Sequence, residues 1–497
     1  MYVCASHEVV PIVGEYARES TTILNAYLGP IVSDYLTALQ DKLKKLNFKG
    51  QLLLMQADAF VQSVPQAIKK PVYLMISGPA SAPAGAVYLG QKLIKPNIIG
   101  MDMGGTSFDV DFVKNGEISL SSSKWIEDEL CAIKMVDITT IGAGGGSVAW
   151  IDSMGLLRVG PGSVGAEPGP ACYGRGGDKA SVTDADLILG YIPEDYFLGG
   201  KHRLQTKLAR SAVSNIADRL HISIEEAASA IFSVVNSNMA DAITEVTTRN
   251  GYDVRDFSLL ACGGAGPTHG AFLAELLGIP EVIVPKFAAT FCAWSMFTLD
   301  IGRDYLRSLI TPIENIDLNL VNRLYKEMEQ EALSAVKISE VTGDDLEINR
   351  TMEMRYRNQF QNVEVGGLPS GKISIKDIKE IVDEFHLKHK ELYTFSMPQY
   401  EVELRALRSI VRIKKPKIGM KGLVGGRYDS SEALKRKRQC YFDKVYLLTS
   451  VYDGNKLKAG NCIPGPAIIE EATTTVVIPK SFNCTVDKYG SYLIRRI

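Results

Sequence analysis

The chain contains no C-x-x-C pair, no H-x-x-x-H or H-E-x-x-H run and no G-x-S-x-G sequence. Those absences remove, in turn, a zinc-ribbon or dithiol framework, a helix-borne catalytic zinc and a serine-hydrolase elbow. The eight cysteines, at positions 4, 131, 172, 262, 292, 440, 462 and 484, are scattered, which fits free thiols in a reducing cytoplasm. Net charge is equally scarce. The 55 Lys+Arg and 57 Asp+Glu leave −2, so bulk charge draws the chain to no polyanion and nucleic acid is a poor partner. No window reaches the roughly 18 uncharged apolar residues of a spanning helix. The best candidate, residues 287–299, holds polar Thr290 and Ser295 and reads as a buried segment, so no membrane partner is expected. The opening MYVCASHEVV lacks the basic, apolar, small-residue order of a signal peptide, and a cytoplasmic protein is expected. Neither a repeat nor a low-complexity tract is present. What remains, 46% hydrophobic and 23% charged over 497 residues, is an ordinary globular composition with room for roughly two to four domains.

Apolar Leu24, Leu28, Ile31, Tyr35, Leu39 and Leu43 recur at three- and four-residue steps. This spacing predicts an amphipathic helix over residues 20–46, capped by Ser20 or Thr21 and bent at Pro30. Apolar runs at 51–55, 72–76 and 98–103 then alternate with helical stretches at 58–69 and 80–93, an α/β pattern. Asn115-Gly116 between two strand-like runs predicts a hairpin. Residues 142–177 are the most glycine-rich stretch, and so long an irregular segment usually carries function. Ser223 and Glu226 form a capping box for a helix that ends near Asn250-Gly251. A buried strand at 257–261, a turn CGGAGPTHG and a helix at 271–277 follow. Beyond about residue 310 come a helix near 316–338, a β run at 347–366, a helix near 374–392 and mostly β sequence to the end. We therefore expect one domain at 1–310 and another at 311–497. The charged stretches 412–421 and 430–438 read as solvated connections.

The sharpest local feature is GMDMGGTSFD, Gly100 to Asp109. Gly104 and Gly105 at a hairpin tip let backbone N–H groups approach a phosphate, and the Thr106 and Ser107 hydroxyls add donors. Asp102 can hold Mg²⁺ through water or orient a nucleophile, and Asp109 is a second carboxylate. A tight hairpin with capping aspartates has the same sequence. In CGGAGPTH, residues 262–269, a backbone bare of side chains suits a nucleotide's base and ribose, yet a closely packed strand-helix junction reads alike. His269 is a hydrogen-bonded helix-start residue or a base. Cys172, in GPACYGRGG, is a thiolate or an inert buried thiol. His386 and His389 read as part of a solvated helix face.

The runs IGMDMGGTSFDV, TTIGAGGGSVAWID, LLRVGPGSVGAEPGPACYGRGG, SVTDADLILGYI, NMADAITEVTTRNGYDVRDFSLLACGGAGPTHG and AGNCIPGPAIIEEATTTVVIP follow one another along almost the whole chain. Together they resemble the hydantoinase A / 5-oxoprolinase family, which includes ATP-dependent N-methylhydantoinase subunits and acetone and acetophenone carboxylase subunits. The resemblance implies actin-like, sugar-kinase-like ATPase lobes of the ribonuclease H-like α/β type, followed by a C-terminal α+β domain rich in strands. It implies ATP and Mg²⁺ as cofactors. Asp102 to Asp109 would be the second phosphate loop, with Asp102 and Asp109 catalytic and Asp102 near the metal. Gly104, Gly105, Thr106, Ser107, Gly144 and Gly145 would meet phosphates, Gly263, Gly264, Ala265, Gly266 and Pro267 would form the adenosine loop, and Cys172 and His269 would lie on the substrate side.

Members of that family usually begin with a further segment that carries a first phosphate loop, Asp-x-Gly-Gly-Thr-Phe-Thr-Asp, and no such run is present here. The resemblance thus implies two partners: a chain supplying that loop and a large hydantoinase B-type subunit. The implied chemistry is phosphorylation of the carbonyl oxygen of a cyclic amide, such as hydantoin, 5-oxoproline or a similar lactam, for hydrolysis. Ketone carboxylation by the same ATP chemistry and a non-catalytic nucleotide-binding assembly role are the alternatives.

Overall fold

Residues 2–335 and 345–497 are described by a computed structural model, and they fold as two units, each assembled from three separated stretches. One unit comprises the residues up to Ala80 together with Leu120–Met135 and Leu299–Lys417. The other comprises Ser81–Ser119, Val136–Thr298 and Ile418–Ile497. Compactness therefore divides the chain otherwise than a single cut near residue 310 would.

In the first unit, Leu53–Met55, Val61–Ser63, Ile301–Pro312, Val402–Ile413, Leu346–Tyr356 and Val363–Leu368 make a six-stranded sheet in that spatial order. Helices Leu318–Ala335 and Ile375–Tyr393 cover it. Val321, Tyr325, Ile378 and Phe385 from the helices join Met352, Met354, Val365 and Leu404 from the strands in one core. The expected helix extends to residue 338, and its last three positions lie outside the described residues. The expected helix at 58–69 is instead a strand, Val61–Ser63, and a helix, Val64–Lys69. The run expected as a strand at 72–76 opens as the 3₁₀ turn Pro71–Leu74, in which Pro71 stands at the first position.

The N-terminal helix runs Glu15–Lys45, starting before Ser20 and keeping Pro30 inside. Its buried face is made of small and polar residues, Ser20, Thr21, Asn25 and Gly29, with Leu36. Thr21 Oγ1 accepts from the Ala132 amide at 2.8 Å, and Asn25 Oδ1 from the Val72 amide at 3.3 Å. Ile31 and Tyr35, expected on the buried stripe, are 65% and 64% exposed. Hydrogen bonds to a loop, which apolar periodicity does not register, chose the buried face.

The second unit is built on a sheet ordered Thr139–Ile141, Phe108–Lys114, Ile98–Met103, Ser258–Cys262, Glu281–Val284, Tyr492–Arg496, Phe482–Val486 and Cys462–Pro464. The first three strands are antiparallel neighbours, whereas Ile98–Met103, Ser258–Cys262 and Glu281–Val284 run parallel. In chain order the first five read 3-2-1-4-5, the ribonuclease H-like arrangement, so the expected α/β class stands. Side chains alternate across it, as the pleat requires. Leu259 and Ala261 join Ile231, Val235, Ile243 and Leu273 on one face. Leu260 and Cys262 join Ala86 and Leu89 of helix Ala82–Leu93 on the other. The capping box of Ser223 and Glu226 and the Asn115-Gly116 turn, both at positive φ, form as expected. The glycine-rich stretch is more regular than its composition indicates, because Ser147–Ile151 and Leu157–Ser163 pair as a hairpin.

A four-stranded sheet, Leu434–Phe442, Val445–Asp453, Ala467–Glu470 and Thr475–Ile478, completes this unit. The stretch expected as a solvated connection at 430–438 runs into its first strand. There Lys435, Arg436 and Arg438 converge on the buried Glu470 at 2.8, 2.9 and 3.0 Å. All eight cysteines are unbridged, and among the described residues no helix is long and apolar enough to cross a membrane.

Candidate functional site

Adjacent parallel strands Ile98–Met103 and Ser258–Cys262 pair Asp102 with Cys262 at their C-terminal ends, and each runs directly into a glycine turn. The first turn is a hairpin in which the Gly104 amide donates to Ser107 O at 3.1 Å. A Cβ on Gly104 or Gly105 would meet nothing within 4 Å. With Gly105 and Thr106 exposed, a ligand can come up to the backbone. Gly144 and Gly145 brace this turn from behind. The Gly145 amide donates to Gly104 O at 3.0 Å, the Gly146 amide to Gly105 O at 2.7 Å and the Gly144 amide to Ser147 Oγ at 2.8 Å. Both glycines are buried, and a Cβ on Gly144 would reach the Thr106 backbone, so only glycine allows the close approach.

The second turn is sewn to the first strand. The Ala265 amide donates to Met103 O at 3.0 Å, and the Gly263 amide to Ala288 O at 2.9 Å. Gly263 has φ +84°, and a Cβ there would strike the Met103 carbonyl, so the position accepts no other residue. Gly264 is exposed, with only Thr473 O, at 3.8 Å, near a Cβ placed on it. Gly266 and Pro267 begin helix Gly266–Leu277. The two turns, far apart in sequence, thus lie side by side.

Asp102 and Asp109 are register partners across the hairpin, so their side chains share one sheet face. Thr140 Oγ1 donates to Asp109 Oδ1 at 2.6 Å. Burial raises the Asp102 pKa, Asp109 adds to the rise, and a hydrogen bond from Cys292 Sγ to Asp102 Oδ2 at 3.2 Å opposes it. Two residues here went unnoticed in the sequence. Asp111, two positions beyond Asp109 and therefore on the same face, fits beside side-chain-free Gly100 and keeps Oδ1 buried without a partner. Burial, then Asp102 and Asp109, push its carboxyl up to about 7. The Asp-x-Asp alternation was the available signal. Cys292 carried none, since it arrives from a distant segment.

Cys172 and His269 lie in the core. Both are fully buried. The Cys172 amide donates to Asp184 Oδ1 at 2.7 Å, and burial, then the Asp184 charge, drive its thiol far above the usual range. The inert-thiol reading is therefore the one the geometry supports. Under native conditions at pH 8, a maleimide should label Cys172 at least about 100-fold more slowly than in the urea-unfolded chain, because the thiolate is the reactive species. Peptide mapping checks this, and comparable native and unfolded rates would refute it. His269 Nδ1 lies 2.9 Å from Asn236 Oδ1, its ring stacks on Phe232 at 4.6 Å, and Nε2 is 3.6 Å from Asp186 Oδ2. That is a core role. Of the two histidines expected on a solvated face, His389 is fully buried, with Nδ1 2.8 Å from Phe395 O, whereas His386 is half-buried, its Nδ1 2.7 Å from Tyr356 Oη.

The sheet order and the paired glycine turns define an α/β protein of the ribonuclease H-like class. Residues 18–305 match the hydantoinase/oxoprolinase family, and residues 315–495 match the hydantoinase/oxoprolinase C-terminal domain. The chain belongs to the hydantoinase/oxoprolinase family. It is 34% identical to caprolactamase subunit alpha of Pseudomonas jessenii, across 99% of this chain and 71% of that one. With the acetophenone carboxylase gamma subunit of Aromatoleum aromaticum it shares 32% identity, across 100% of this chain and 69% of the other. The crystal structure of the ATP-dependent caprolactamase from Pseudomonas jessenii superimposes with a TM-score of 0.87 over 99% of this chain and 72% of that one, at 34% identity.

Proposed function

We propose that this chain is the nucleotide-binding subunit of an ATP-dependent cyclic amide hydrolase acting on hydantoin, 5-oxoproline or a similar lactam. The observation that carries the reading is the meeting of two glycine turns at the C-terminal ends of adjacent parallel strands, where α/β sheets take their ligands. Bound MgATP would supply a phosphoryl group to the amide carbonyl oxygen, which readies the carbonyl carbon for attack by water.

The residues present fit such a ligand. Gly104 and Gly105 offer open backbone, Thr106 and Ser107 add hydroxyl donors, and Gly144 and Gly145 hold the turn rigid. Gly263 to Pro267 would lie against the adenosine. Asp102 and Asp109 suit Mg²⁺, which takes one or two carboxylates and completes its shell with water and phosphate oxygens. Among the described residues no group of three His, Cys, Asp or Glu is arranged to hold a metal by itself, so the metal would come with the nucleotide. Fixed backbone dipoles and a preset carboxylate pair are what phosphoryl transfer needs from a protein, more than a covalent nucleophile.

We place the ATPase segment at 1–310 and the C-terminal α+β segment at 311–497 along the sequence, close to the two family matches. The relatives are named as subunits, which supports partner chains, among them a large hydantoinase B-type subunit. Likeness to a carboxylase subunit keeps ketone carboxylation as a second reading. In the reconstituted assembly, hydantoin, 5-oxoproline or caprolactam should stimulate ATP turnover several-fold. Stimulation by ketone plus bicarbonate alone would transfer the assignment to the second reading, and MgATP binding without turnover under any condition would leave an assembly role.

A further inference from the structure

A cavity of about 1000 Å³ opens in the first unit, between the N-terminal residues, the 56–73 segment and the strand Ile301–Pro312. None of its residues belongs to the glycine-turn site. We propose that it binds a small organic molecule through an oxyanion, a carboxylate or phosphate group, held by Arg303, Lys70 and Arg18.

The lining is charged, and most of its carboxylates are already spent. Asp304 Oδ2 receives Arg408 at 2.6 Å while its Oδ1 stays buried without a partner, Glu331 receives Arg307 at 2.6 Å and Glu8 lies 3.6 Å from Lys69. Among the described residues, Lys70, Arg303 and Arg18 have no carboxylate within ion-pair distance. Arg18 donates only to the Ile12 carbonyl, at 3.0 Å, and Arg303 Nε is buried with no hydrogen-bond partner. Burial lowers the pKa of both Lys70, to about 8, and Arg303, the sign of cations held without enough counter-charge.

Neutral donors extend the same surplus. Gln56 and Gln62, 5% and 3% exposed, line the cavity, and each keeps a buried amide nitrogen without an acceptor. Asp58 is the one remaining acid, and burial, then Asp304, push it up to about 7. In its protonated form it donates rather than repels. Buried donors without acceptors cost free energy, and an anion offering several acceptor oxygens answers the Arg, the Lys and both amides at once. The volume exceeds what inorganic phosphate fills and matches a small-molecule pocket, so the oxyanion would be one end of a larger ligand.

Because Lys70 sits in the cavity with a lowered pKa, its acetylation by acetic anhydride reports occupancy locally. On the full chain, saturating inorganic phosphate or succinate should slow acetylation of the Lys70 peptide at least fivefold, while neutral succinamide should not. Protection by phosphate alone or by succinate alone identifies which oxyanion the site takes. The protection should vanish in Arg303→Met and persist in part in Arg303→Lys, with circular dichroism checking that each variant is folded. Should Arg303→Met fail to fold, Arg18→Met carries the same comparison. Equal acetylation with anions and with succinamide, or full protection in a folded Arg→Met variant, would overturn the proposal.

Discussion

Asp102→Asn should lower the ATP turnover of the assembled enzyme by about 10²–10³-fold, the loss typical when a preorganised charge at a phosphoryl-transfer site is removed, and should leave the fold intact. Asn keeps the size of the side chain and can still accept from Cys292 Sγ, 3.2 Å away, so packing at the strand end survives. What disappears is the negative charge opposite Asp109, one of the two carboxylates proposed to hold the nucleotide's metal. The deficit should fall on kcat more than on KM, as for a group whose interaction strengthens in the transition state. Cys292→Ala separates charge from packing: it removes the hydrogen bond, keeps the carboxylate and should cost far less. Turnover at the wild-type rate in a folded Asp102→Asn assembly would remove Asp102 from the chemistry.

The largest expected loss of stability lies elsewhere in the same unit. Glu470 is 1% exposed at its side chain and receives Lys435, Arg436 and Arg438 within 3.0 Å. Arg436 also grips Asp195 through both nitrogens, at 2.7 and 2.8 Å, and Arg438 donates to Tyr191 O at 2.8 Å. The carboxylate is thus the centre of a clasp joining the four-stranded sheet to the 191–195 segment. Glu470→Ala leaves three cations facing one another with only Asp195, on Arg436, as counter-charge. It should destabilise by about 3 kcal/mol, at the lower end for a broken buried pair because Arg436 keeps that partner and the cations are partly exposed. Glu470→Gln keeps the acceptor oxygen and should lose less. Urea unfolding followed by circular dichroism measures both, and an Ala midpoint equal to wild type would show that the network contributes nothing.

Elements whose forces are local could be read directly. The capping box at Ser223, the Asn115-Gly116 turn and the strand Ile98–Met103 depend on residues a few positions apart, and so does the glycine hairpin 104–107 with its flanking aspartates. The errors arose where a distant partner intervened. Ser20 and Thr21 look like a helix start, yet they lie inside the helix on its buried face, where the Ala132 amide donates to Thr21. Arg436 and Arg438 look like a solvated run until Glu470 arrives from another strand. Sequence alone determined the α/β pattern, the glycine turns and two of the three carboxylates, because backbone geometry and the strand repeat act within a few residues. Only the tertiary structure decided that the two turns meet, that Gly144 and Gly145 brace the first of them, that Cys172 and His269 are sealed in the core, and that Cys292 and Asp111 lie beside Asp102. Each of those outcomes depends on strand pairing and burial between segments far apart in the chain, which no local pattern encodes.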